Sequence, residues 1–179
     1  MENLSLFESE EPIEITMDEL IDTNRKKLDV VRLDYIGAET MTWQELFADF
    51  DTLHAITYSS GISFVCQLLN QFETAEIIFG CEDVISYSLQ EIMAYQSKLI
   101  ERLRTSKAKQ NLIERIEDNS LHLYVARTML SHEKIYLLSA KDGRKRVVMG
   151  SANMSLTAFG GRQRENISYV DGDPAYEWY

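Results

Sequence analysis

"LHAITYSSGISFVCQLLNQFETAEIIFG", residues 53–80, is the stretch that decides the fold. Its opening, "LHAITYS", is a short β-branched apolar run and predicts a strand. Beyond Gly61, apolar residues recur at Ile62, Val65, Leu68, Leu69 and Phe72, the spacing of one helix face. "AEIIFG" then reads as a buried-type strand closed by Gly80. Strand, helix and strand with connections this short predict a parallel βαβ unit, whose crossover is right-handed.

Upstream, "LDVVRLDYIGAETMTWQELFADF" predicts a strand near Val30–Tyr35, a turn at Gly37 and a helix from about Thr42. Thr42 and Glu45 have the spacing of a capping box. Residues 1 to about 22 are rich in Glu, Asp and Ser and read as a solvated arm, with a short strand around Ile13–Ile15. Downstream, residues 84–117 are largely helical in pattern, with polar "RTSKAKQ" as a break. "LHLYVART" and "GRQRENISYV" read as strands on either side of a hairpin, "HEKIYLLSAKDGRKRVVMGSAN", at 132–153. Six or seven strands and three or four helices in mixed order make an α/β fold, a mixed β-sheet flanked by helices. The expected division is an acidic arm and lead-in over 1–45 and one domain over 46–179. The aromatic end, Trp178 and Tyr179, suggests the N-terminal piece of a longer protein.

With 45% apolar and 26% charged residues, the composition is that of an ordinary globular chain. No apolar run approaches the ~18 residues of a membrane helix. The acidic N-terminus has no basic region of the kind that opens a secretory signal. Cys66 and Cys81 lie in apolar surroundings and read as free thiols, which fits the cytoplasm. The net charge of −11 is unevenly spread: residues 1–100 carry 19 acids and 5 bases, residues 101–179 carry 10 acids and 13 bases. A polyanionic partner is therefore compatible with the second half, where the hairpin lies.

On a strand, His132 and Lys134 point to the same face. Asp142-Gly143 is the favoured centre of a two-residue hairpin turn. That turn sets Lys134 opposite Ser151 and His132 opposite Asn153, so all four side chains cluster on one face. Lys supplies a compact charge, Ser and Asn supply donors, and Gly150 lets the backbone approach an anion, a set suited to phosphate. An imidazole among them is suited to act as nucleophile or proton donor. Taken singly, each of these residues is more often structural or merely solvated.

"HEK" followed by "GSAN" resembles the HKD motif of the phospholipase D superfamily, of the nuclease-like or helicase-attached type. The βαβ unit also looks like that fold's opening, and the resemblance covers roughly residues 50–175. It implies a phospholipase D-like fold in which His132 is the nucleophile that forms a phosphohistidine, with Lys134, Ser151 and Asn153 binding the phosphate. It further implies that Glu165, on the next strand, orients a motif histidine; the residue type alone fits an ordinary surface carboxylate equally well. Two departures stand out. Ser139 occupies the place of the usual acid, and the interval from there to Gly150 is longer than is common. The superfamily's site also uses two motifs, whereas this chain holds one, since neither His54 nor His122 is followed by x-Lys. A homodimer or a second phospholipase D-like half is implied.

The expected function is a metal-independent phosphodiesterase, a nuclease acting on DNA, with no cofactor. No H-E-x-x-H, acidic cage or Cys/His cluster is present in the sequence. The tip residues Arg144, Lys145 and Arg146, with Arg162 and Arg164, are candidates for phosphate contacts along a strand. The alternative is an impaired phospholipase D-like module that binds nucleic acid or protein without cleavage. Lipid cleavage is disfavoured, because no basic amphipathic helix or hydrophobic anchor is evident.

Overall fold

In a computed structural model of the chain, which describes residues 27–34, 37–80, 107–126 and 131–179, Thr42 caps a helix as its spacing predicts. The Thr42 N–H donates to Glu45 Oε2 at 2.6 Å, and the Glu45 N–H donates to Thr42 Oγ1 at 3.2 Å. Two strands precede this helix, β1 (Leu28–Arg32) and β2 (Gly37–Met41), and the helix itself is α1 (Trp43–Phe47). Both strands come from the stretch expected to be lead-in. The segment read as a turn at Gly37 is thus the start of an edge strand, which carries too little apolar alternation to announce itself.

The βαβ unit forms as its periodicity predicts: β3 (Thr52–Thr57), α2 (Ile62–Leu69) and β4 (Thr74–Phe79), with β3 and β4 parallel. There follow α3 (Lys107–Glu117), β5 (Leu121–Val125), β6 (Lys134–Ser139), β7 (Lys145–Gly150), α4 (Leu156–Phe159), β8 (Ile167–Asp171) and α5 (Asp173–Trp178). Eight strands make one mixed sheet in the order β2-β1-β8-β7-β6-β3-β4-β5. The run β3, β4, β5 is parallel, while β6, β7 and β8 alternate in direction. The expected arm, its strand at Ile13–Ile15 and most of the 84–117 helical pattern lie outside the described residues.

Strand alternation sorts the sheet into two faces. Leu53, Ala55, Ala75, Ile77, Tyr136, Leu138, Val148, Ile167 and Tyr169 are buried on one side. They pack with Leu46 and Phe47 of α1, Phe64, Leu68 and Leu69 of α2, and Leu156 and Phe159 of α4. The ring of Phe47 lies edge-on to Tyr136 at 5.6 Å and to Phe159 at 5.5 Å, and Phe159 stacks on Phe64 at 5.2 Å. Aromatic contacts of this kind add to area burial and fix side-chain orientation. Among the described residues no helix is long and apolar enough to cross a membrane.

Because β6 runs against β3, and β7 and β8 alternate after it, one end of the sheet gathers several chain ends. They are the exits of β3 and β7 and the entries of β6 and β8. Truncating Phe159 to Ala opens a cavity in the aromatic cluster and is expected to cost about 3–5 kcal/mol. Urea unfolding checks this, with His54→Ala on the exposed face staying within about 0.5 kcal/mol of wild type.

Candidate active site

The hairpin register differs by one residue from the expected one. Ile135 pairs with Met149 and Ser139 with Lys145. The turn is a three-residue loop: the Gly143 N–H donates to the Ala140 carbonyl, the Ala140 N–H donates to the Arg144 carbonyl, and Gly143 sits at φ +91°. A type I turn followed by a left-handed glycine uses Asp-Gly as readily as the two-residue turn does. Lys134 therefore does not lie opposite Ser151, and strand pairing alone does not gather the four residues.

They meet nonetheless, because the backbone turns at Gly150. This residue has φ +150°, and a Cβ built on it falls 1.9 Å from the Asn166 carbonyl oxygen. Only glycine lets β7 and the entry of β8 approach so closely. Ser151 is then locked to its neighbour: its N–H donates to the Asn166 carbonyl at 2.9 Å, and the Asn166 N–H donates to Ser151 Oγ at 3.0 Å. The Ser151 hydroxyl also donates to Glu165 Oε2. The result is an open cavity of about 540 Å³ lined by His132, Lys134, Gly150, Ser151, Asn153, Gln163, Glu165 and Asn166.

Lys134 forms the base of this site. It begins β6 opposite Thr57 of β3 and is 5% exposed, on the same face as Tyr136 and Leu138. Its Nζ lies 2.8 Å from His132 Nδ1 and donates to the His132 carbonyl at 2.6 Å. Burial pulls the Lys134 ammonium below the usual lysine range, and the Glu165 carboxylate partly opposes that pull. Behind it, the wholly buried Tyr136 hydroxyl donates to the Ala152 carbonyl at 2.8 Å, and burial pushes its pKa far up. Asn153 accepts a hydrogen bond on Oδ1 from the Ser59 N–H at 3.3 Å, which leaves its amide N–H groups as donors. The arrangement presents a cation, a hydroxyl, an amide and an exposed imidazole to one small volume.

Other candidate residues lie elsewhere. Arg144, Lys145 and Arg146 stand at the opposite end of β6 and β7, about 17 Å away at the rise of a strand. Each is engaged there: Arg144 with Asp142, Lys145 with Asp173 and Glu177, and Arg146 with Asp171. Arg146 is further held between the rings of Tyr169 and Phe50, 4.5 and 5.3 Å from the guanidinium carbon. This basic tip forms an ion-pair cluster beside a second cavity, apart from the one that His132 lines. Arg162 and Arg164 are exposed on either side of the cavity-lining Gln163. Ser139, in the place of the superfamily's acid, lies at the far end of β6. Sequence reasoning missed Gln163 and Asn166, which line the cavity, and Tyr58 and Ser59 at the end of the strand run, whose ring and N–H meet His132 and Asn153 respectively. His54 and His122 do not line the cavity. Among the described residues, no three His, Cys, Asp or Glu group as a metal site.

A family model, the NgoFVII restriction endonuclease N-terminal PLD domain, matches residues 41–179, most of the chain. The chain belongs to this family. The expected superfamily and its phospholipase D-like mixed sheet are thereby shown. Among solved structures, the chain is similar to yeast tyrosyl-DNA phosphodiesterase at 9% identity and a TM-score of 0.44, over 68% of this chain and 26% of that one. A mutant of the same yeast enzyme matches at 11% identity and a TM-score of 0.44, over 66% and 26%. This chain thus spans about a quarter of the length of that enzyme. No curated protein matches in sequence.

Two outcomes follow from this geometry. Gly150→Ala drives a methyl group into the Asn166 carbonyl, and a loss of more than about 1 kcal/mol is expected in urea unfolding. Lys134→Met removes a buried charge and is expected to raise stability at neutral pH by about 1 kcal/mol. The unfolded chain holds the Lys134 proton more tightly than the folded one, so the charge costs stability at every pH below the folded pKa. The advantage of the Met variant therefore shrinks as pH rises from that value to the ordinary lysine range, which unfolding measured along a pH series checks.

Proposed function

We propose that this chain is a metal-independent phosphodiesterase, a nuclease acting on DNA, in which His132 is the nucleophile. The observation that carries the reading is the convergence of His132, Lys134, Gly150, Ser151, Asn153 and Glu165 on one cavity. The domain's membership of a restriction-endonuclease family supports DNA as the substrate. A phosphate entering the cavity draws the Lys134 ammonium and the Asn153 amide onto its oxygens, where the buried cation is strongest. Lys134 then leaves His132 Nδ1, and the freed imidazole has a nitrogen lone pair for attack.

In this mechanism an imidazole nitrogen of His132 bonds to phosphorus as the bond to the leaving oxygen breaks. A second histidine gives its proton to that oxygen. Water next attacks phosphorus, the P–N bond breaks, and the second histidine recovers a proton from the water. The chain offers a single such histidine at the cavity, so the reading includes completion by a second copy or by another phospholipase D-like half. Ser151 and Glu165, joined by their hydrogen bond, shape the wall facing the phosphate.

The alternative, a module that binds without cutting, draws on Ser139 in place of the acid. Its position weakens that argument: five residues along β6 from Lys134, a carboxylate there would stand about 17 Å from the base of the cavity.

Nicking of labelled single- and double-stranded DNA in EDTA, wild type against His132→Ala, tests the reading. Cleavage that persists in EDTA and falls at least about 10³-fold in the variant is expected. Cleavage that EDTA abolishes, or that His132→Ala leaves intact, overturns it. A dimer by sizing column that binds DNA but does not cut favours the alternative.

A further inference from the structure

Two residues just beyond β3 touch both halves of the motif. The Ser59 N–H holds Asn153, as described above. The ring of Tyr58 lies 4.6 Å from the His132 ring, with the planes 42° apart, and 5.4 Å from Lys134 Nζ. Their backbone is itself pinned. Thr57 is fully buried, its Oγ1 donates to the Ser59 carbonyl at 2.9 Å, and the Met154 N–H donates to that same Oγ1 at 3.1 Å. Ser60 forms a parallel bridge with Met154, and the Gly61 N–H donates to the Met154 carbonyl at 2.9 Å. The corner 57–61 is thus tied to the segment that carries Asn153.

His132 needs such a support. It precedes β6, is exposed, and has no strand pairing to fix its side chain. The contacts described for its ring are those of Tyr58 and Lys134. An unsupported imidazole would sample several rotamers, and misplacement of a nucleophile by about 1 Å costs on the order of 10²-fold in rate. The face of a phenol ring is electron-rich, so it attracts the Lys134 ammonium and the positive charge that a phosphorylated imidazole acquires.

We propose that Tyr58 is a positioning residue of this site, its ring holding the His132 imidazole in the orientation that attack on phosphorus requires while it flanks the Lys134 ammonium that turns to the phosphate. This rests on the reading of His132 as nucleophile and adds to it a residue from outside the motif. The contacts with His132 and Lys134 are made by the ring, so the ring carries the role.

The full chain is compared as wild type, Tyr58→Leu and Tyr58→Phe, by steady-state nicking in EDTA and by NMR of the His132 ring protons. Tyr58→Leu is expected to lower kcat about 10–100-fold with KM little changed. It also moves the His132 Cε1 proton resonance as the ring current is lost, whereas Tyr58→Phe keeps both near wild type. A folded Tyr58→Leu with wild-type kcat overturns the proposal. So does a Tyr58→Phe as impaired as the Leu variant, which would assign the role to the hydroxyl. Should Tyr58→Leu fail to fold, wild type decides: nuclear Overhauser effects between the Tyr58 and His132 rings support the contact, and their absence overturns it. Cleavage surviving in His132→Ala would sink the nucleophile reading while leaving the NMR contact as it is, so the two failures are told apart.

Discussion

The antiparallel pairing of β3 with β6, which sets Thr57 opposite Lys134, is the constraint on which the candidate site depends. It fixes the level at which one strand ends and the other begins. From that level hang the corner at 57–61 on one side and the His132 approach on the other. The same pairing submerges Lys134 in the row of buried residues that continues through Tyr136 and Leu138. An ammonium placed there keeps little water, so its hydrogen bonds to His132 replace hydration. A phosphate oxygen is a strong partner for such a charge, which supports the proposed phosphate site despite the chain's overall −11.

Charge position outweighs charge sum in this molecule. The basic tripeptide 144–146 is the densest run of positive charge in the described hairpin, yet acids of the same neighbourhood neutralise it. Arg146 ties β7 to the carbonyl of Leu46 in α1 and to Asp171 of β8, so its guanidinium serves as a strut between layers. At the other end, one buried lysine faces the cavity together with the carboxylate of Glu165. Sequence composition does not separate these two situations, because both are written in the same residue types.

Much of the fold was legible in the sequence for identifiable reasons. The βαβ unit announces itself through a change from β-branched runs to helical spacing, and Thr42-x-x-Glu45 carries its own cap geometry. The convergence of His132, Lys134, Ser151 and Asn153 was legible too, although by a register one residue away from the real one. Asp142-Gly143 suits two hairpin loops equally, and the choice between them rests on backbone angles that residue identities leave open. What closes the site is the near contact of Gly150 with Asn166, a long-range approach visible only once β8 is placed. Tyr58 was hidden for a similar reason: its proposed role lies in its contact with His132, which the approach to β6 brings against it 74 residues later in the chain.

The hairpin tip has a practical side. At Gly143 a Cβ would meet nothing within 4 Å, and the tip points away from the cavity by the full length of two strands. A fluorophore or a surface tether attached at the adjoining Asp142 would sit two strand lengths from the residues that line the cavity. The domain thus carries its own handle for single-molecule observation, at the end of the hairpin opposite the cavity.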